Sequence, residues 1–122
     1  MLIFHIRNKH CYTREIQARG GKTLILDFPF PDFSNDTAPL TVSAHMGLSI
    51  CHKDDNFDKK AGRVTAMLTF KPEVFKLECV SGDELSYVAY RDVGPLLRRV
   101  SFTLNKITRK FYVSILDIQP NS

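Results

Sequence analysis

The chain has 122 residues, of which 43% are hydrophobic and 25% are charged, and its formal net charge is +4. A chain of this length and composition buries a hydrophobic core, which excludes a largely disordered protein. We therefore expect a single domain that spans residues 1–122, and the basic balance favours acidic partners such as phosphates, nucleotides or nucleic acid.

The sequence does not support a membrane protein, a secreted protein or a metal-binding protein. No apolar run reaches the roughly 18 residues that a membrane-spanning helix needs, and residues 1–7 are too short and end too polar for a signal peptide. Cys11, Cys51 and Cys79 are odd in number and lack metal-ligand spacing, which is typical of reduced thiols in a cytosol. We expect a cytoplasmic protein with no membrane partner, no bound metal and no cofactor.

No catalytic constellation stands out along the chain. The four histidines include no His-x-x-x-His pair, and both the Gly-x-Ser-x-Gly elbow of hydrolases and the Gly-x-x-x-x-Gly-Lys-Ser/Thr phosphate loop are missing. A nucleophilic Cys or Ser with a distant histidine base stays open as an alternative. We expect a protein that is not an enzyme.

The first half of the chain has alternating apolar residues, a pattern that predicts β-strands. The clearest strand is residues 40–51, where every second side chain is apolar and these side chains share one face. Residues 22–28 also look extended after a tight turn at the Gly-Gly pair before them, and residues 2–6 and 11–16 are weaker candidates.

Residues 28–33 combine three phenylalanines with two prolines. Proline removes backbone donors from a strand ladder, so the segment is expected to be a loop or a sheet edge. Three phenylalanines are too apolar for a free loop, so we expect them to pack on the domain or on a second subunit. The segment therefore favours a homo-oligomer.

Two helices are expected in the second half of the chain. The first is capped by Asp54 or Asp55 and ends near Phe70, because apolar residues recur at the helical period at positions 57, 61, 64 and 68. The second follows a cap at Asp92 with Pro95 in its first turn, and its apolar stripe occupies positions 97, 100, 104 and 107.

Strands are expected on both sides of this second helix. Residues 85–90 follow a Ser-Gly-Asp turn, residues 111–118 alternate well enough for a final strand, and residues 73–80 are ambiguous. Runs of strands followed by separate helices indicate an α+β fold rather than a doubly wound parallel sheet. We expect one antiparallel sheet packed against two helices.

The first expected helix carries a basic face that is a candidate for phosphate binding. Lys59 and Arg63 are four residues apart and therefore lie side by side, and Lys60 is next to them. Gly62 leaves room for a ligand or a neighbouring backbone. An ordinary solvated face, with Gly62 serving helix–sheet packing, is the alternative.

A second basic cluster contains Arg98, Arg99 and Arg109, within a stretch from residue 93 to residue 116 that has no acidic side chain. The planar guanidinium group binds phosphate oxygens two at a time, which makes these arginines ligand-binding candidates. A solubilising surface is the alternative.

The third candidate is the segment at residues 19–23, Arg-Gly-Gly-Lys-Thr. Successive glycines let backbone N–H groups converge on an anion, so Arg19, Gly20, Gly21 and Thr23 are ligand-binding candidates. A plain hairpin turn is the alternative.

Two of these segments together resemble a known family. A strand ending in Cys51, a short polar turn, an Asp-x-Phe at residues 55–57 and a Lys-Lys-x-Gly-Arg at residues 59–63 follow the Arg-Gly-Gly-x-Thr at residues 19–23. This pair of motifs resembles the first-described family of phage Thoeris anti-defence proteins.

The resemblance implies a homo-oligomeric sponge in the host cytoplasm, which sequesters cyclic nucleotide immune signals at subunit contacts without cleaving them. The implied ligands are cyclic ADP-ribose isomers and, for some members, the cyclic oligonucleotides of CBASS defence. A small phage accessory protein that binds nucleic acid or a host protein is the alternative. Because the two motifs fall on different expected elements, we also expect two separate anion sites.

Overall fold

The structure is a computed structural model that describes residues 1–29, 38–94 and 96–118. This part of the chain contains seven strands and one helix, and the strands follow one another in the sheet in chain order. The elements are β1 (Leu2–Ile6), β2 (Arg19–Asp27), β3 (Thr41–Asn56), α1 (Lys59–Leu68), β4 (Lys71–Ser81), β5 (Glu84–Val93), β6 (Leu96–Asn105) and β7 (Phe111–Ile118). The pairs β1–β2, β2–β3, β4–β5, β5–β6 and β6–β7 are antiparallel.

The described chain is mostly antiparallel β-sheet with one short helix, so the expected α+β fold with two helices is wrong. The residues assigned to the second helix form β6 instead. Val100, Phe102 and Leu104 are buried at the two-residue period of a strand, a pattern that coexists in this segment with the helical one. Because β6 pairs with β5 on one side and β7 on the other, two ladders of hydrogen bonds favour the strand. Pro95, expected in the first helical turn, lies outside the described residues.

Most of the expected strands are confirmed. Residues 40–51 belong almost entirely to β3, which buries alternate side chains from Val42 to Leu48 as expected. The ambiguous residues 73–80 lie in β4, and the other expected strands correspond to β1, most of β2, β5 and β7. Residues 11–16 are not a strand: residues 11–13 form a turn, and Ile16 makes an isolated bridge with Lys9.

The first expected helix is confirmed as α1, but the prediction of its capping residue is wrong. Asp58 caps the helix, whereas Asp54 and Asp55 lie in β3. The reason is that β3 pairs with β2 as far as Asn56, opposite Arg19, and the helix begins only after that pairing ends.

Only part of the phenylalanine-rich segment falls within the described chain. Phe28 is buried, which fits the expectation that these rings pack on the body of the protein. Residues 30–33 lie outside the described residues, so the homo-oligomer expected from this segment stays a prediction.

The chain divides into two compact units. The first consists of Met1–Phe28 and His45–Pro72, and the second of Pro29–Ala44 and Glu73–Ser122. β3 contributes its first four residues to the second unit and the remainder to the first.

In the first unit, α1 packs on β2 and β3 through two glycines. A Cβ on Gly47 of β3 would meet the carbonyl oxygen of Ala66, and a Cβ on Gly62 of the helix would meet Oγ1 of Thr23 in β2. The helix therefore approaches the sheet at backbone distance, and Ala66 and Thr23 are almost completely buried beneath this contact. The structure thus bears out the packing role for Gly62, since Thr23 fills the space that a ligand was expected to use.

We predict that Gly47→Ala destabilises the first unit more than Gly62→Ala does. The new methyl group at position 47 would clash with a backbone carbonyl, which cannot move far. We therefore expect the free energy of unfolding to fall by about 1–3 kcal/mol. At position 62 the methyl group meets a side chain, and alanine also recovers about 1 kcal/mol of helix propensity. Urea unfolding of both variants measures the order, and a larger loss for Gly62→Ala would contradict this account.

In the second unit, four strands bury a core around Phe75, Tyr87, Val100 and Phe102. The Tyr87 hydroxyl donates a 2.9 Å hydrogen bond to the carbonyl oxygen of Pro39, which satisfies its polar end inside the core. Burial raises the pKa of this hydroxyl above its ordinary value, because the phenolate form would lose its solvation.

Two arginines lie opposite each other at one end of this core. Arg91 in β5 and Arg98 in β6 are register partners, and each is about as buried as the neighbouring apolar residues. Arg91 Nη2 donates to Glu73 Oε2 at 3.0 Å, and Arg98 Nε lies 3.0 Å from Asp117 Oδ1. The carboxylates offset two like charges that would otherwise be costly to hold side by side away from water.

We predict that Glu73→Gln destabilises the second unit far more than Glu78→Gln does. Both glutamates lie on β4 and both contact an arginine, but the Arg91 side chain is 4% exposed and the Arg99 side chain 27%. Removing a carboxylate beside a buried guanidinium costs about 3–5 kcal/mol, whereas an exposed pair contributes less than about 1 kcal/mol. Equal losses in chemical unfolding would show that burial does not set the strength of these pairs.

Candidate functional site

A cavity of about 270 Å³ lies in the first unit, where the far end of β3 and the start of α1 meet β2. Hydroxyl, amide and carboxylate groups line much of it, together with one aromatic ring. The lining residues are Thr23, Ser49, Ile50, Cys51, His52, Asp55, Asn56, Phe57, Asp58, Ala61, Gly62 and Thr65.

The cavity depends on an irregular stretch in the pairing of β2 with β3. Arg19 is opposite Asn56 and Gly21 is opposite Cys51, so residues 52–55 of β3 stand opposite Gly20 alone. Gly20 and Gly21 have φ angles of +73° and +127°, in the left-handed region that favours glycine. The glycine pair therefore forms a bulge within a strand, and the expected hairpin turn at this point is wrong.

Gly21 supports the aromatic ring of the cavity. A Cβ on Gly21 would lie 2.7 Å from Cδ2 of Phe57 and 2.9 Å from the carbonyl oxygen of Ile6. The Phe57 backbone N–H donates to the carbonyl oxygen of Ala18 at 2.8 Å, which holds the ring over the bulge. Both glycines are buried; Gly21 seats Phe57, and Gly20 packs against Asn8 and the backbone of Lys53.

Four basic residues belong to this region, and we call them the basic cluster: His5 and Arg7, which contact the Phe57 ring, and Lys59 and Arg63, which precede and follow Gly62 in α1. The Arg7 guanidinium lies 4.7 Å from the centre of the Phe57 ring, a cation–π contact. The pKa of His5 is lowered, first by burial and then by the charges of Lys59 and Arg63. Gly62, between these two residues in α1, packs against Thr23, whose hydroxyl oxygen lies 3.2 Å from His5 Nδ1, so this part of the helix lies close to the histidine.

The helix start is already occupied by its own carboxylate. Asp58 Oδ1 accepts hydrogen bonds from the backbone N–H groups of Lys60 at 2.9 Å and Ala61 at 3.2 Å. An anion at this end of the helix must therefore be bound by the side chains of Lys59 and Arg63 rather than by free backbone donors.

The structure brings the two motifs of the first unit together. Thr23, from the Arg-Gly-Gly-Lys-Thr segment, lies beneath Gly62 of the helix, and Gly21 lies against Phe57. Arg19 is exposed at the start of β2, opposite Asn56 of the cavity wall. Residues of the two motifs therefore pack against each other, and the pair of separate anion sites stays a prediction.

The three arginines of the second basic cluster belong to the second unit. Arg98 is buried beside Asp117, and Arg99 Nη2 donates to Glu78 Oε1 at 2.9 Å, so a carboxylate engages each of these guanidiniums. Arg109 lies in the turn between β6 and β7, where its φ of +59° is left-handed and its backbone N–H donates to the Asn105 carbonyl oxygen.

Sequence reasoning missed His5 and Arg7 altogether. His5 lies in β1 opposite Thr23, and Arg7 directly follows the end of β1, so the register of β1 on β2 is what brings this end of the strand to the site. The one available signal was the period of two along residues 3, 5 and 7, which puts both basic side chains on one face.

The thiol and imidazole groups next to the cavity do not form a nucleophile–base pair. Cys51 Sγ is 3.5 Å from the carbonyl oxygen of Asp55 and 3.6 Å from those of His52 and Asn56. His52 Nδ1 accepts from the backbone N–H of Asp54 at 3.1 Å. Each group therefore has a local structural partner instead of the other.

Searches for known relatives found none: no family model, curated protein or solved structure matches the chain. Across residues 1–29, 38–94 and 96–118, no helix is both long and apolar enough to cross a membrane. The same residues contain no group of three or more His, Cys, Asp or Glu side chains arranged to hold a metal ion.

We predict that Asp58→Ala destabilises the first unit by about 1 kcal/mol, the usual cost of losing an N-cap. Asp54→Ala is the matched control, because Asp54 is exposed and contacts only His52, at 3.6 Å, through its carboxylate. It should change the free energy of unfolding by less than about 0.5 kcal/mol. A larger loss of unfolding free energy in Asp54→Ala than in Asp58→Ala would show that Asp54 caps the helix, as expected from the sequence.

Proposed function

We propose that the protein captures a small phosphorylated ligand of the cyclic-nucleotide class, without covalent chemistry, and returns it unchanged. The observation that carries this proposal is the basic cluster beside Phe57 and Thr23, two residues that line a polar cavity of about 270 Å³. The resemblance to the Thoeris anti-defence family supports the same assignment, including its setting as a phage sponge in the host cytoplasm.

The charges around the cavity favour one orientation of such a ligand. Asp55 and Asp58 line the cavity and would repel a phosphate placed inside it. Lys59 and Arg63 offer cationic side chains at the helix start, where no acidic side chain of α1 competes for them. We therefore place phosphate at the basic cluster and the hydroxyl and amino groups of the nucleoside inside the cavity.

The size of the cavity fits part of a nucleotide rather than a whole cyclic oligonucleotide. Pockets that enclose small molecules usually measure about 300–1,000 Å³, so a volume of about 270 Å³ is at the small end. A larger cyclic ligand would therefore extend beyond the cavity, and a second copy of the chain is the partner that we propose to cover the rest.

A nucleic-acid-binding role is the competing proposal, and salt distinguishes the two. Neutralising many backbone phosphates releases many counterions, so nucleic-acid affinity falls steeply as salt rises. A ligand with one or two phosphates at a single cluster should show a shallow salt dependence. A binding titration repeated at several salt concentrations therefore tests both roles.

We predict that Arg63→Ala weakens binding of cyclic ADP-ribose or a cyclic oligonucleotide by roughly 1.5–3 kcal/mol, the range for a charge-assisted hydrogen bond. Lys76→Ala is the control, because it removes the same charge from an exposed position on β4. Calorimetric titration measures both variants, and equal affinities would exclude Arg63 from the site.

The capture itself is tested by recovery of the ligand. The protein is incubated with a panel of cyclic nucleotides, separated from free ligand and denatured by heat, and the released material is analysed by chromatography. We expect the intact nucleotide. Recovery of a linear or hydrolysed product would show turnover and contradict a sponge.

A further inference from the structure

We propose that His5 is a ligand-binding residue, whose protonated imidazole joins Lys59 and Arg63 in binding the phosphate or another dianionic group of the captured ligand. The inference rests on the proposed function and deepens it, since it names the group that completes the anion subsite and makes capture depend on pH.

The position of His5 in the sheet brings it to the cavity wall. His5 in β1 is the register partner of Thr23 in β2, and its Nδ1 lies 3.2 Å from the Thr23 hydroxyl oxygen. Thr23 lines the cavity and touches the helix at Gly62. The imidazole is therefore separated from the cavity by a single small side chain.

Two neighbours hold the imidazole ring in place without fixing its charge. The Phe57 ring meets the His5 ring edge-on, with centroids 5.9 Å apart and planes at 79°. The Thr23 hydroxyl is able to donate to a neutral ring nitrogen or to accept from a protonated one. His5 can therefore gain a proton without losing its hydrogen-bond partner.

The charges that face His5 are cationic on both sides. Lys59 and Arg63 lie on α1, where Gly62 between them packs against Thr23, and Arg7 follows the end of β1 with its guanidinium over Phe57. The carboxylate at this end of the helix, Asp58, is engaged as the helix cap. In the free protein burial and then the charges of Lys59 and Arg63 lower the pKa of His5, and a bound dianion opposes the effect of these charges by neutralising them.

Proton uptake by His5 gives binding a defined dependence on pH. The free histidine has a pKa below its ordinary 6.5, and an adjacent dianion raises that pKa. Binding then takes up a proton, so affinity rises as pH falls through the bound-state pKa and levels off below the free-state pKa. The gain is about tenfold for each unit by which the ligand raises the pKa.

Sulfate is the probe for the test, because it stays a dianion from about pH 5 to pH 8, where histidine titrates. We would measure sulfate affinity across this range for the wild type, His5→Gln and His45→Gln. Glutamine keeps a hydrogen-bonding group near Thr23 but takes up no proton. His45 is the matched control, since it is an exposed histidine of β3 whose ring stacks on Phe70 and which does not line the cavity.

We expect sulfate affinity of the wild type and His45→Gln to rise several-fold toward low pH, and that of His5→Gln to stay flat. NMR titration of the wild-type imidazoles is the second measurement, needed if His5→Gln does not fold, and sulfate should raise the pKa of His5. Absent or pH-independent sulfate binding, an unchanged His5 pKa, or dependence on His45 instead would overturn the inference.

The outcome for His5 is separable from that of the proposed function. Cyclic nucleotides that bind the wild type equally well at all pH values would remove His5 from the site and leave capture standing. Sulfate binding with the expected pH dependence, but no affinity for any cyclic nucleotide, would keep the anion subsite and overturn the proposed capture.

Discussion

The close contact of α1 with β2 and β3 is the constraint on which the first unit depends. Two residues without side chains, Gly47 and Gly62, let the helix backbone approach the sheet, and any larger residue at either position meets a carbonyl or Thr23. The same contact forms part of the cavity wall, since Thr23 and Gly62 both line the cavity. Gly62 therefore takes part both in the packing of the helix and in the shape of the cavity.

A second backbone constraint shapes the other wall of the cavity. The left-handed glycines of β2 coincide with an irregular stretch in which four residues of β3 stand opposite one residue of β2. Asp55 of this stretch and the adjacent Asn56 line the cavity, and Phe57 lies against Gly21. An Arg-Gly-Gly segment that resembles an anion cradle in the sequence thus acts through the shape it imposes on its neighbour.

The basic residues of this chain differ in what holds them. In the second unit, Arg91 and Arg98 are buried beside carboxylates, and Arg99 contacts Glu78, so these charges stabilise the sheet. In the first unit, Lys59 and Arg63 lie on α1, whose Gly62 packs against Thr23, the hydrogen-bond partner of His5. Clustering of basic residues along the chain is the same kind of signal in both units, and only the tertiary contacts show which arginines lie beside carboxylates.

The sequence by itself determined the features that local periodicity and backbone chemistry control. These are the long strand β3, the last strand β7, the helix α1 and the basic face on that helix, because each depends on a pattern within one run of contiguous residues. Tertiary structure decided the rest. Residues 96–105 fit both the helical and the strand period, and pairing with β5 and β7 makes them a strand. The register of β1 on β2 brings His5 to Thr23, and the register of β6 on β7 brings Arg98 to Asp117. These contacts join residues far apart in the chain, and no local pattern encodes which partner a strand will meet.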